Sequence, residues 1–131
     1  MVNGLLLRPY VSGMVWKMSG SNLELMKEGI DLYKQIRGEI KEAVPFFPLR
    51  FCDVRDSVLA YGLKGDKNTY LAVFMPHARE GSIPIDFADQ VEAVSVIYPK
   101  EEDCSYCLEN GELKIAMPQE TCGRLFKFTL K

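Results

Sequence analysis

Side-chain catalysis needs a few groups held together: a nucleophile with a base, two carboxylates, or a set of metal ligands. The candidates in this chain are sparse. There is one histidine, His77, and there are four cysteines, Cys52, Cys104, Cys107 and Cys122. Two pairs of aspartates lie close in sequence, Asp53 with Asp56 and Asp86 with Asp89. A nucleophile needs a base beside it, and a lone loop histidine reads as a solvated surface residue. G-x-S-x-G, a phosphate-binding glycine loop and H-x-x-x-H are all missing. Cys104 and Cys107 form a C-x-x-C, but zinc sites pair two such hooks or add histidines, and Cys52 and Cys122 stand apart. Reduced, mostly buried cysteines are the reading adopted. Paired carboxylates could hydrolyse a glycosidic bond. Both aspartate pairs fall in connectors, however, where Asp caps turns. Glu101, Glu102 and Asp103 read as a solvated acidic turn. No catalytic, cofactor-binding or metal-ligating residue is assigned, and no cofactor is expected.

The elements that would position these groups fall into two parts. Ser21–Val44 is the only long helical pattern. At 100° per residue, Leu23, Leu25, Met26, Ile30, Leu32, Tyr33, Ile36, Ile40, Ala43 and Val44 share one half of the circumference. That apolar arc of about 180° is wide for a surface helix. Ser21 with Glu24 fits a capping box, Pro45 stops the helix, and Gly29 on the apolar arc would allow close approach. Gly38 could break the helix, but the arcs stay in phase across it. Before the helix, residues 1–20 read as short extended segments. After it, the Pro-rich run PFFPLRF (Pro45–Phe51) reads as a connector whose three phenylalanines need burial.

From Ser57 the period changes to two. Ser57–Leu63 and Thr69–Met75 flank a GDKN turn and predict a hairpin. Pro76–Ser82 reads as a loop, Ile83–Phe87 as a short strand and Val91–Tyr98 as a longer one. Ser105–Leu108 and Glu112–Met117 flank Asn110-Gly111, a strong hairpin signal, and Arg124–Leu130 alternates. Six or seven short strands predict an antiparallel sandwich. The expected fold is mainly β: an antiparallel β-sandwich preceded by one long N-terminal amphipathic helix.

At 131 residues, 47% hydrophobic and 26% charged, the composition is that of a folded domain. Sixteen basic and eighteen acidic residues give a net charge of −2, which gives no support for nucleic acid or an anionic membrane as partner. No apolar run approaches a membrane span, and MVNGLLLRPYVSG has no basic start for a signal peptide. A cytoplasmic location is expected.

The run Ser19–Phe51 followed by Asp56–Phe74 resembles the C-terminal end of bacterial alpha-galactosidase-like enzymes, the melibiase clan that includes glycoside hydrolase family 36. The residues that carry the resemblance are Leu23, Lys27, Glu28, Ile30, Tyr33, Lys34, Ile36 and Arg37 in the helix. Pro45, Phe46, Pro48 and Leu49 follow in the connector, then Tyr70–Phe74 and Leu125–Phe128. The resemblance implies residues 1–44 as the last strand and helix of a (β/α)8 barrel, 45–56 as a linker and 57–131 as a C-terminal sandwich. The family's catalytic aspartates lie on earlier barrel strands that this chain lacks. Its W-K-x-D nucleophile run has only Trp16-Lys17-Met18-Ser19 as an echo, without the carboxylate. The expected function is a non-catalytic C-terminal domain that braces the barrel; the alternative is a small β-sandwich carbohydrate-binding module. An independent enzyme would need an exposed, reactive C-x-x-C. A sandwich closes its own core, which leaves the helix without an obvious cover. It is expected to pack on the connector and one sheet face, or on a second copy, giving a homodimer through residues 1–44.

Overall fold

The computed structural model describes residues 1–51, 53, 55–100 and 103–131. Among these residues, eight strands form two antiparallel sheets. The larger contains β1 (Val44–Phe46), β2 (Leu59–Lys64), β3 (Asn68–Met75), β8 (Cys122–Leu130) and β5 (Val91–Tyr98), in that order. The smaller contains β4 (Glu80–Pro84), β7 (Glu112–Ala116) and β6 (Ser105–Glu109). A short helix, α1 (Val2–Leu5), and a long one, α2 (Gly20–Ile40), precede the sheets. The molecule is thus a β-sandwich with an N-terminal helix, as the periodicities predict.

The strands sit where alternation and turn chemistry put them. Leu59 pairs with Phe74 and Lys64 with Thr69 across the first hairpin. Asn110 and Gly111 take φ of 52° and 79°, the left-handed pair that a type I′ turn demands, and Glu109 faces Glu112 across it. Two elements begin earlier than their patterns suggest. β4 starts at Glu80 because Gly81 and Ser82 pair with Ile115 and Lys114, so part of the expected loop is strand. The expected linker opens as the edge strand β1, with Phe46 opposite Gly62. The Phe46 ring fills the space a side chain at Gly62 would need.

The inter-sheet core is built from alternate residues of the central strands. Leu71, Val73 and Met75 of β3 and Phe126 and Phe128 of β8 meet Ile83, Leu113 and Ile115 of the small sheet. Phe87 sets its ring edge-to-face on both Phe46 and Phe128, at 5.7 and 5.4 Å. Lys64 closes this end, its Nζ 4.9 Å over Phe87 and 2.8 Å from Asp86.

The helix finds its cover within the chain. The other face of the large sheet carries Leu63, Tyr70, Ala72 and Leu125, and these pack with Leu32 and Ile36 of α2 and with Val2, Leu5 and Leu6. A third layer, helix on sheet, thereby completes the architecture; of the two covers expected for α2, the chain supplies the sheet face. Val2, Leu5 and Leu6 reach this layer because one helical turn puts positions i, i+3 and i+4 on one side. The extended segments expected there are replaced by α1. Gly29 serves the close approach expected of it: a Cβ there would lie 2.8 Å from Met1 Cε and 3.2 Å from the Tyr98 ring.

The helix starts two residues earlier than the capping box suggests. Ser19, with ψ of 157°, is the N-cap, and its hydroxyl accepts a hydrogen bond from the Asn22 amide. The helix runs unbroken through Gly38 and ends at Ile40, because Val44 pairs with Lys64 and Pro45 disfavours helix before it. Among the described residues, hydrogen bonds hold α2 at three points along its length. Tyr98 Oη donates to Leu25 O, the Lys100 amide donates to Glu28 Oε1, and Tyr70 Oη donates to Glu39 Oε2.

The third tie makes docking of the helix pH-sensitive. Hydrogen bonds from Asn68 and from Tyr70 hold the Glu39 carboxyl below its usual pKa. A lowered folded-state pKa stabilises the fold above the unfolded value, and that contribution is lost as pH falls through the folded value. Glu39 stays in contact with water, so the effect is no more than about 1 kcal/mol. Urea midpoints of wild type and Glu39→Gln, compared from neutral pH to about pH 3, should differ by a gap that is constant above the usual carboxyl pKa of 4.5 and narrows below it.

Candidate functional site

The residues that could do chemistry are dispersed. His77 is exposed in the loop after β3. Asp56 spends both oxygens locally: Oδ1 pairs with Arg50 at 2.8 Å and Oδ2 accepts from the Asp53 amide at 2.7 Å. Asp53 Oδ1 in turn accepts from the Arg55 amide. This pair therefore braces a turn in which Arg50 has φ of 84°. Asp86 pairs with Lys64, while Asp89 lies in a 3-10 turn and offers its backbone carbonyl to Lys131. Neither pair presents two free carboxylates to a common space, as hydrolysis of a glycosidic bond requires. Glu101, Glu102 and Cys52 lie outside the described residues.

The C-x-x-C cannot act as a hook. An offset of three along extended chain puts the two side chains on opposite faces. Cys104, just before β6, is partly buried with Sγ 3.8 Å from Met117 Sδ, whereas Cys107 is exposed. Among the described residues no three His, Cys, Asp or Glu side chains converge as a metal site.

The aromatic side chains are divided in the same way. Tyr70 and Tyr98 are buried in the helix–sheet layer, where burial raises both phenol pKa values. Tyr61 is partly buried there, and Tyr106 stands edge-on to Phe126 at 5.4 Å. Trp16 is different: it is 78% exposed in a 3-10 turn before α2. Tyr10, also in the arm, is 84% exposed. Leu7, Val11 and Met14 are exposed as well. The arm from Leu7 to Met18 is thus apolar and uncovered, although the helix that follows it is docked. The connector behaves similarly: Phe46 enters the core, but Phe47 and Phe51 are exposed and stack on each other at 4.6 Å. The turn at Arg50 directs them outward instead of into the core expected for all three.

Beside this region an open groove of about 570 Å³ is lined by Met1, Phe47, Tyr61, Phe74 and Cys122 among others. Among the described residues its lining has no carboxylate, histidine or lysine side chain. It has the lining of an apolar binding surface.

One polar cluster escaped the reading of the sequence. Arg124 is only 4% exposed and lies at the end of the inter-sheet core. Its Nη2 donates to Asp103, its Nη1 donates to Gly123 O at 2.9 Å and to Cys122 Sγ at 3.6 Å, and its Nε has no partner among the described residues. Burial pulls the Arg124 pKa down, but the hydrogen bond and charge of Asp103 outweigh it, so the guanidinium stays charged. The signal was present in Arg124–Leu130: alternation puts Arg124 on the same face as Phe126 and Phe128, and a charge on a core face needs a partner. Asp103, assigned to a solvated turn, is that partner.

Compared with protein-family models and with curated proteins, the chain has no match to either. Among the described residues, no helix is long and apolar enough to cross a membrane.

Proposed function

We propose that the chain is the non-catalytic C-terminal domain of an alpha-galactosidase-like glycoside hydrolase, bracing a catalytic barrel that the chain itself does not contain. The observation that carries this reading is the uncovered arm from Leu7 to Met18, with Tyr10 and Trp16 almost fully exposed. Large aromatics left in water beside a closed core mark a surface that another body covers. The resemblance at Leu23–Arg37 and Pro45–Leu49 supplies the identity of that body. The dispersed acids support a role without catalysis. The isolated chain should leave a nitrophenyl galactoside intact; hydrolysis that one point substitution abolishes would overturn the proposal.

A second reading is favoured by the same two aromatics. Tyr10 and Trp16 could stack on a sugar ring, making the chain a carbohydrate-binding module. Trp16 is the only tryptophan, so its fluorescence reports the arm alone. Under the bracing role, titration with mono- and oligosaccharides to millimolar concentration leaves the emission unchanged. A saturable shift would favour the binding module.

A further inference from the structure

Cys104 and Cys122 belong to different sheets. Cys104 immediately precedes β6 in the small sheet, and Cys122 opens β8 in the large one. Both are partly buried and pack against the same inter-sheet core. Arg124 spans the space around them, with Nη1 on Cys122 Sγ and Nη2 on Asp103, the neighbour of Cys104. The Cys104 thiol points inward onto Met117. Burial raises its pKa, the Arg124 charge opposes that rise, and Cys122 lies close enough to add to it. Cys107, the nearer cysteine in sequence, faces away.

We propose that Cys104 and Cys122 form a reversible disulfide between the two sheets, made by exchange with a small disulfide of the glutathione type. Cys122 reacts first, because it lines the open groove. Its thiolate attacks one sulfur of the glutathione disulfide; that S–S bond breaks, and one glutathione leaves and takes up a proton. The Cys104 thiolate then attacks the Cys122 sulfur of the mixed disulfide and releases the second glutathione, which is protonated in turn. Two protein thiols are oxidised and one glutathione disulfide is reduced to two thiols. The bond closes the loop 104–122, which contains both β6 and β7, and so ties the small sheet's hairpin to the large sheet.

The folded protein is incubated with oxidised glutathione and mapped by peptide mass spectrometry, alongside Cys52→Ser/Cys107→Ser and Cys104→Ser variants. The expected product, in wild type and in the double variant, is a Cys104–Cys122 linked peptide. It should come with a melting temperature raised by several degrees that returns to its starting value on reduction. Cys104→Ser should stop at glutathionylated Cys122. The proposal is overturned if Cys104 and Cys122 are each glutathionylated without linking, if Cys122 does not react in the folded chain, or if the link forms only in urea.

Discussion

Phe128→Ala will lower the free energy of unfolding by about 3–5 kcal/mol. Phe128 is fully buried and stands edge-to-face against Phe87, which in turn meets Phe46 from the edge strand. Its truncation removes apolar contact from both sheets at once and leaves a cavity, since Phe87 and Phe46 are held by β1 and by Lys64 above them. A domain of this size has a total stability of about 5–15 kcal/mol, so the variant keeps only a fraction of it. The measurement is a urea or thermal transition, with a fall in melting temperature of roughly 15 °C. A loss below about 1 kcal/mol would mean that the two sheets do not share this core.

Asp103→Ala should cost about 2–3 kcal/mol, whereas Arg124→Met should cost less than about 1 kcal/mol. The asymmetry follows from which charge is buried. Arg124 is inside; Asp103 has 41% of its side chain exposed. Removing the carboxylate leaves a guanidinium in the core with a carbonyl and a thiol as its remaining partners among the described residues. Removing the guanidinium leaves Asp103 in contact with water, and the Met stem keeps the apolar packing. Equal losses in the two variants would show that the pair does not act as a buried charge with an outside counter-ion.

Much of the β architecture was legible because its signals are local. The Asn110-Gly111 turn, the GDKN turn and the period-two runs each specify their own strands. The third layer was less so, and the reason is physical. A sandwich sheet is expected to have one apolar face, which would leave α2 uncovered. Yet Thr69–Met75 reads TYLAVFM, apolar on both sets of alternate positions. A strand with that pattern is buried on both faces. Tyr70 and Ala72 meet the helix while Leu71 and Val73 meet the small sheet. Boundaries failed where two residues could serve equally. Ser19 and Ser21 both suit an N-cap, their hydroxyls lie 3.1 Å apart, and it is Ser19 that accepts from the Asn22 amide. The Arg124–Asp103 pair joins residues 21 apart in sequence, and only the topology brings them together. Of the candidate chemistry, the turn-capping role of Asp53 and Asp56 was readable from composition. The opposite facing of Cys104 and Cys107 follows from strand parity once β6 is placed.

The central claim is that the arm before α2 is a docking surface left open in this chain, and light scattering at tens of micromolar tests it most directly. The exposed Tyr10 and Trp16 should find cover on a second copy. Wild type is therefore predicted to have about twice the 14.9 kDa of one chain, and Tyr10→Ser/Trp16→Ser to return to a single chain with its melting transition unchanged. A strictly monomeric wild type, or a dimer indifferent to both substitutions, would contradict it.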